Sequence, residues 1–293
     1  MLFKGTECRD ANEIAQAVQR EGGYINAYTS FDRTVYWIDT PSSGFENCLD
    51  VLCDVVGFAV LPEDEFENES DVIRREIAMA EDNPEQVLSK ALFRTAYTTH
   101  PCRYPVIGLL DLFNQLSRDD LYDYYREKYS PDNLIMVVAG DVDAKRTVEL
   151  IGSHMGGVER RRRSPVILPE EPRQIGIREE SVSFPTELVR GRLGWSAPSG
   201  DHPDSPALDI LAAILGGGKS SRLYREVREN QQLVNSVGAY AYTPAFKGQF
   251  VVSYDADPEK AESAEATIRE QVESLKEGGV SAEEVKKVGR QAL

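Results

Sequence analysis

Apolar and polar positions follow two different periods along the first 60 residues of the chain. Residues 11–20 repeat apolar side chains at helical spacing, and two glycines end this predicted helix. Residues 24–30 and 34–39 alternate with a period of two, which is typical of paired strands. A second helix is predicted over residues 45–58. The pattern therefore predicts a helix, two strands and a helix.

The same order of elements returns in the second half of the chain. A helix is predicted over residues 221–229, strands over 239–242 and 249–255, and a helix over 258–275. We therefore expect an α+β fold of two tandem homologous domains, each a mainly antiparallel sheet with helices packed on one face. A last helical pattern, over residues 282–293, has no sheet-forming segment after it. The second domain is expected to be incomplete.

A charged stretch that contains prolines separates the two halves and predicts an exposed linker. Residues 159–165 hold four consecutive arginines, and residues 169–172 read Pro-Glu-Glu-Pro. We place the boundary here, which gives an N-terminal domain over residues 1–163 and a C-terminal homologous domain over residues 164–293. The four arginines are interpreted as a solvated hinge in preference to a docking site for an acidic partner.

The charge balance limits the partners of the protein. Lys and Arg number 33 against 49 Asp and Glu, and the net charge of −16 opposes binding to nucleic acid and to anionic membrane surfaces. No apolar stretch approaches the roughly 20 residues that a transmembrane helix needs, so no transmembrane segment is predicted. The sequence indicates a soluble protein and leaves the compartment open between cytoplasm and periplasm.

The cysteines and histidines show no pattern of a disulfide framework or a metal site. The four cysteines all lie in the first half without CxxC spacing, so reduced structural thiols are expected. The three histidines are far apart, and none belongs to an HxxxH or HxxEH pair. A metal site made from histidines of this chain is therefore disfavoured.

A long helix predicted after Pro62 carries two acidic residues on one side. Proline suits the first turn of a helix, and the acidic residues 63–65 complement the helix dipole. Glu69 and Glu76 stand seven residues apart, close to the roughly 7.2 residues of two helical turns, so both carboxylates point to one side. Taken alone, this pattern is typical of a solvated acidic helix face.

Several ordered blocks along the chain together resemble the insulinase/pitrilysin/mitochondrial-processing-peptidase family of zinc metallopeptidases, the inverzincins. Residues 1–6 are similar to the stretch that directly follows the HxxEH motif of this family, and residues 22–34 are similar to its first hairpin. The resemblance continues through later parts of the family's first domain, which are similar to His100-Pro101 and to residues 105–108, 129–133 and 138–142 of this chain.

The resemblance implies roles for three residues of the first half. In this family two histidines and a glutamate hold zinc, and Glu76 would be the third ligand if the second histidine of HxxEH stood immediately before Met1. Glu69 would be the companion carboxylate that supports the site. Asn26, on the hairpin, would contact the backbone of the substrate. Extended peptides pair with an exposed strand edge in such enzymes, and the acidic charge would favour basic peptides.

A glycine-rich turn in the second half invites comparison with a phosphate-binding loop, and the comparison fails. Such a loop needs a glycine at position 213, where this chain has Ala213, and it should follow a strand rather than the helix predicted over residues 206–215. The turn instead resembles the second-domain signature of the same family, which implies that Arg228 binds substrate. The family often has a tyrosine seven residues later, also directed at the substrate, where this chain has Asn235.

The resemblance implies a zinc-dependent metalloendopeptidase that hydrolyses extended peptides. Since the sequence contains no HxxEH, two ligands and the general base are missing, and we expect the chain alone to have an incomplete zinc site and no activity. The alternative is a non-catalytic partner subunit or a peptide-binding homologue of the same family, an alternative that Asn235 keeps open. A homo- or heterodimer with a family member is a further expectation.

Overall fold

The computed structural model describes residues 1–161 and 164–291, and it divides into two compact units. Unit 1 consists of residues 1–79 and 106–167, and unit 2 consists of residues 80–105 and the chain from Leu168 onward. The sequence-based boundary between residues 163 and 164 stays a prediction. Two of the four arginines on which it was based, Arg162 and Arg163, lie outside the described residues.

Unit 1 is built on an antiparallel hairpin of strands β1 (Tyr24–Thr29) and β2 (Thr34–Asp39), with Tyr24 opposite Asp39. The helices of the unit are α1 (Ala11–Arg20), α2 (Phe45–Gly57), α3 (Glu63–Glu81), α5 (Leu110–Phe113), α6 (Arg118–Lys128) and α7 (Ala144–Met155). The core packs α1 and α2 against the inner face of the hairpin, through the side chains of Ile14, Val18, Val51, Val55, Ile25 and Ile38.

Helix α1 begins where its sequence provides a reciprocal cap. The Asp10 side chain accepts a hydrogen bond from the backbone N–H of Glu13 at 2.8 Å, and the Glu13 carboxylate accepts one from the backbone N–H of Asp10 at 2.9 Å. These two bonds satisfy N–H groups that the first turn of a helix leaves unpaired. The helix predicted over residues 11–20 and the hairpin after it are confirmed.

Unit 2 contains an antiparallel sheet in the order β3-β5-β4, with β3 (Val189–Ala197), β4 (Ser236–Tyr242) and β5 (Gly248–Ala256). Its helical segments are α4 (Pro84–Ala96), α8 (Ser205–Gly216), a π-helix (Tyr224–Asn230), α9 (Ala261–Gly278) and α10 (Ala282–Gln291). One face of the sheet forms the main core of the unit with α9, through side chains such as Leu193, Val252, Ala256, Ile268 and Val272.

The opposite face of this sheet carries polar residues and packs against helix α4. Glu85, near the start of α4, binds Arg190 at 3.0 Å and Arg192 at 2.7 Å on β3. The ring of Phe93 lies 5.6 Å from that of Tyr242 on β4. Helices therefore cover both faces of this sheet. The expectation of helices on one face came from the second half of the sequence alone, and α4 lies in the first half.

The α+β class and the antiparallel pairing are confirmed. In unit 2 the predicted strands extend further, to Ser236 and Gly248, and β3 was missed. The last predicted helix, over residues 282–293, is described as far as Gln291. Among the described residues, none of the helices combines the length and apolarity that crossing a lipid bilayer requires.

A buried carboxylate joins two segments of unit 2 that are far apart in sequence. Glu171 accepts hydrogen bonds from the backbone N–H groups of Thr98, Thr99 and His100 at 2.8, 2.9 and 3.0 Å, and from both threonine hydroxyls. Burial alone would raise the pKa of Glu171, but the hydrogen bonds outweigh burial and lower the pKa to about 2. The ionised carboxylate therefore fixes this loop.

We expect this carboxylate to make the stability of unit 2 depend on pH. Unfolded Glu171 takes up a proton near its ordinary pKa of 4.5, whereas the folded carboxylate does so only near pH 2, so acid favours unfolding between these values. Glu171→Gln should remove this dependence and lower the free energy of unfolding at pH 7 by about 1–3 kcal/mol, since the amide places N–H groups against N–H donors.

Urea unfolding at pH 7 and at pH 3, followed by circular dichroism, measures both effects. The matched control is Glu170→Gln, because Glu170 is the exposed neighbour of Glu171. Equal unfolding midpoints for the two variants at both pH values would contradict the role of Glu171.

Candidate functional site

Helix α3 carries the two acidic residues that the resemblance singled out in unit 1. Ile77 and Ser70 are on the buried side of the helix, with exposed fractions of 3% and 7%. Glu76 is exposed and Glu69 is half-buried. The seven-residue spacing places both carboxylates on one side of the helix, as predicted.

Glu69 has a cationic partner that the sequence analysis missed. The ammonium Nζ of Lys4 lies 3.0 Å from Glu69 Oε2 and 3.5 Å from Glu65 Oε2. The hydrogen bond to Glu69 is the main cause that raises the pKa of Lys4, so this ammonium is charged at neutral pH. No spacing rule connects residues so far apart in sequence, and only the fold brings them together.

The described residues of this chain offer too few grouped ligands for a zinc site. In the described part of the chain, no group of three or more His, Cys, Asp or Glu side chains is arranged to hold a metal ion. Catalytic zinc normally takes three protein ligands. Glu76 on α3 offers one carboxylate. The donor set therefore does not fit a complete zinc centre, and the roles of Glu69 and Glu76 towards a metal stay predictions.

The outer face of the hairpin presents Asn26 among aromatic side chains. Asn26 lies opposite Trp37 and is exposed. Its Nδ2 donates to the Tyr24 hydroxyl at 2.9 Å, and its Oδ1 accepts from the backbone N–H of Ala27 at 2.8 Å. The ring of Tyr24 lies 5.4 Å from that of Trp37. This face therefore presents an amide group beside a phenol, and the amide oxygen of Asn26 occupies the backbone N–H of Ala27.

In unit 2, helix α8 leads directly into the glycine turn. Gly216 ends α8 against strand β4, and a Cβ at this position would lie 2.1 Å from the backbone nitrogen of Ala239. Gly218 has a φ of +78°, which favours glycine. The turn follows a helix, in agreement with the argument against a phosphate-binding loop.

The segment that follows the turn is a π-helix, where the sequence predicted an ordinary helix. Leu223 and Val227 are fully buried and anchor the segment in the core of unit 2. At its start Arg222 binds the Glu284 carboxylate at 2.7 and 2.9 Å, and this pairing lowers the pKa of Glu284 to about 2. π-Helices are rare and occur frequently at functional sites.

Arg228 and Tyr224 contact each other within this π-helix. Arg228 Nη1 donates a hydrogen bond to the Tyr224 hydroxyl, and the guanidinium carbon lies 4.7 Å from the centre of the Tyr224 ring. Both side chains are half-buried. No carboxylate within the described ranges lies at ion-pair distance from Arg228. The sequence analysis missed this contact, and the signal that could have found it is the position of Tyr224 four residues before Arg228 in a predicted helix.

Asn235 makes different contacts. Its backbone N–H donates to the carbonyl of Asp255 at 2.7 Å. Its side chain is exposed. The pKa of the neighbouring Asp257 is lowered chiefly by its hydrogen bond from Lys260, with a smaller contribution from the Asn235 amide.

The predicted site residues lie on three different elements: α3, β1 and the π-helix. Glu69 and Glu76 share one side of α3, and no hydrogen bond within the described residues joins either of them to Asn26. Arg228 lies in unit 2, in contact with Tyr224.

Comparison with known families gives two matches that together cover almost the whole chain. Residues 1–109 match the model described as insulinase, peptidase family M16, and residues 115–291 match the model described as the M16 inactive domain. Zinc protease PqqE of Helicobacter pylori is 32% identical over 291 residues, which cover 98% of this chain and 66% of the relative.

Further similarities extend to other bacteria and to solved structures. An uncharacterised zinc protease of Mycobacterium tuberculosis is 32% identical over 286 residues, 97% of this chain, and the chain spans only 65% of that relative's length. A protease structure from Helicobacter pylori superposes with a TM-score of 0.93 at 30% identity, covering 99% of this chain and 72% of the other. The structure of an M16 inactive domain from Pseudomonas fluorescens shares the fold of this chain, with a TM-score of 0.90 at 20% identity. The superposition covers 100% of this chain and 71% of the Pseudomonas chain.

We expect the contact between Gly216 and β4 to be essential for the turn that leads to Arg228. Gly216→Ala should lower the free energy of unfolding by about 1–3 kcal/mol, because the added methyl group meets backbone that cannot rotate away. Urea unfolding followed by circular dichroism measures the change. Gly289→Ala in helix α10 is the control, since its methyl group would meet nothing within 4 Å and should stabilise the helix. A Gly216 variant as stable as the control would contradict the assignment.

Proposed function

This chain belongs to the M16, or insulinase, family of peptidases, and from this premise we propose that it acts in a zinc-dependent metalloendopeptidase that hydrolyses extended peptides. The observation that carries the proposal is the pair of carboxylates on one side of α3, with Glu69 bound to Lys4 and Glu76 exposed. The names of its relatives, which call them zinc proteases, support the same conclusion.

We propose that Glu76 is a zinc ligand and that Glu69 supports it. Zinc bound in such a site polarises a scissile carbonyl group and acidifies water. The hydrogen bond from Lys4 favours one orientation of the Glu69 carboxylate, as expected of a residue that supports a ligand. The remaining ligands and the general base would come from an HxxEH segment, which the sequence of this chain does not contain.

We propose that the peptide backbone binds along β1, beside Asn26. The backbone N–H of Ala27 is held by the side chain of Asn26. If the amide of Asn26 turns to a peptide, the N–H of Ala27 becomes available to a peptide carbonyl group, as in strand addition. The net charge of −16 supports a preference for basic peptides.

A second candidate is a non-catalytic family member that acts as a partner subunit or a peptide-binding module, in a homo- or heterodimer. Two observations favour it: Asn235 stands where the family often has a tyrosine, and residues 115–291 match a model described as an inactive domain. The two candidates differ in whether an HxxEH segment is encoded upstream of Met1.

Zinc content and peptide hydrolysis test the first candidate. We expect the 293-residue chain to hold no stoichiometric zinc and to cleave no peptide, because Glu76 supplies only one ligand. The extended chain, joined upstream of Met1 to an HxxEH segment of its own coding sequence, should bind about one zinc ion and cleave peptides. In the extended chain Glu76→Gln should lose zinc, and Glu69→Gln should weaken zinc binding about 10- to 100-fold.

Zinc is measured by atomic absorption after dialysis. Glu67→Gln is the matched control, since Glu67 is an exposed residue of the same helix. Stoichiometric zinc on the 293-residue chain, lost on Glu76→Gln, would show that other residues of this chain complete the site. An upstream coding sequence without HxxEH would favour the non-catalytic candidate.

Asn26→Ala tests the binding of peptide to the hairpin. We expect KM of the extended chain for a basic peptide to rise about 3- to 10-fold, the effect of one or two lost hydrogen bonds, with zinc content unchanged. Asn12→Ala is the control, since Asn12 is an exposed asparagine of the same unit on α1. An Asn26 variant with the kinetics of the control would rule out this contact.

A further inference from the structure

The outer face of the hairpin in unit 1 carries two aromatic rings beside a carboxylate. The ring centres of Tyr24 and Trp37 lie 5.4 Å apart, and the ring planes are inclined at 52°. Asp39 lies directly opposite Tyr24 in the strand register and two residues after Trp37, so the three side chains share one face. Tyr24 is 58% exposed, Asp39 is exposed and Trp37 is half-buried. This face therefore presents aromatic surface and a negative charge to solvent.

The carboxylate of Asp39 has no cationic partner in the part of the chain that the structure describes. No lysine, arginine or histidine of residues 1–161 and 164–291 lies at ion-pair distance from it. The other acidic residue of the hairpin, Asp32, pairs with Arg33 at 3.3 Å. Asp39 is therefore the acidic side chain of this hairpin that is available to an external cation.

The chemistry of the three side chains favours a cationic ligand. The faces of tryptophan and tyrosine rings attract ammonium and guanidinium groups. Since the Cβ atoms of directly opposite residues lie about 5 Å apart, a cation over the ring of Tyr24 is also close to Asp39. The Tyr24 hydroxyl accepts a hydrogen bond from Asn26 Nδ2 at 2.9 Å, which favours one position of the ring. An uncharged apolar group would cover the rings but leave the carboxylate without a partner.

The distance across the hairpin sets the length of the side chain that fits. Among the described residues, β1 pairs with β2 and its other edge has no strand partner. Neighbouring strands lie about 4.8 Å apart, so a peptide added beside β1 has its backbone about 10 Å from β2. A side chain on the outer face must cross Tyr24 to reach Asp39. Arginine and lysine cross such a distance with an apolar stem on the ring and a charged end beyond it.

We propose that Tyr24, Trp37 and Asp39 form a subsite for an arginine or lysine side chain of an extended peptide bound along β1. This inference rests on the proposed function for its peptide ligand, and it gives the preference for basic peptides a local source. The net charge of −16 attracts every positive charge of a peptide alike. The subsite instead recognises one long basic side chain at a defined distance from β1.

The test compares the affinity of the 293-residue chain for two acetylated and amidated decapeptides by isothermal titration calorimetry. One peptide has a single central arginine and no other ionisable side chain, and the other has citrulline, the neutral analogue of arginine, at the same position. We expect the arginine peptide to bind about 5- to 10-fold more tightly. Asp39→Asn and Tyr24→Leu should each lower this ratio to about 2-fold, because each removes one of the two attractions.

Two controls separate the subsite from the field of the whole protein. Asp123→Asn removes the same charge from an exposed aspartate of unit 1, on α6, and should keep the ratio of the wild-type chain. A third peptide has 2,4-diaminobutyrate in place of arginine, which keeps the positive charge on a shorter side chain. It should bind as weakly as the citrulline peptide. Each variant should melt at the temperature of the wild-type chain.

The contrary results are equally specific. An unchanged ratio in Asp39→Asn or Tyr24→Leu, an equal loss in Asp123→Asn, or tight binding of the diaminobutyrate peptide would overturn the subsite. Absence of peptide binding by the wild-type chain would overturn it as well. If the extended chain lacks zinc or peptidase activity while the expected ratios hold, the proposed function fails and this inference stands. An active extended chain with unchanged ratios in the variants would overturn only the inference.

Discussion

The close approach of Gly216 to strand β4 is the constraint on which the geometry around Arg228 depends. Any side chain larger than hydrogen at this position would overlap the backbone of Ala239, so α8 ends directly against the sheet. The turn that follows can then return the chain so that Leu223 and Val227 enter the core. Tyr224 and Arg228 each directly follow one of these buried anchors in the chain, so the packing of Leu223 and Val227 also fixes where the guanidinium meets the phenol. The position of Arg228 therefore depends on packing and on its contact with Tyr224.

On helix α3 of unit 1, the contact that positions Glu69 is electrostatic. Two carboxylates on one side of a helix repel each other only weakly at the separation of two turns, and the ammonium of Lys4 offsets the charge of Glu69 and Glu65. Surface ion pairs usually contribute little to stability, about 0–1 kcal/mol. The pairing is therefore better explained as a restraint on the Glu69 side chain than as a source of stability, which fits a carboxylate that supports a metal ligand.

The sequence predicts regular periodic elements well and three-dimensional neighbours poorly. Helix α1 and strand β2 follow clear periods with defined ends, and their predicted bounds agree with the structure. Strand β3 was missed because arginine and glycine interrupt its alternation. The contact of Lys4 with Glu69 joins distant parts of the chain, which no local pattern encodes. The contact of Tyr224 with Arg228 joins residues four apart in a helical segment, a spacing that the sequence does contain.

Net charge and local donors act on a peptide at different ranges. The field of a protein with a charge of −16 raises the association rate of basic peptides, yet salt screens it over about 8 Å at physiological ionic strength. The hydrogen bonds that we propose for Asn26 would act only after contact and would recognise main-chain atoms that every peptide shares. Charge would then select which peptides arrive, and the donors would orient their backbones whatever the side chains. A chain with this proposed division of roles would prefer basic peptides without requiring a particular sequence.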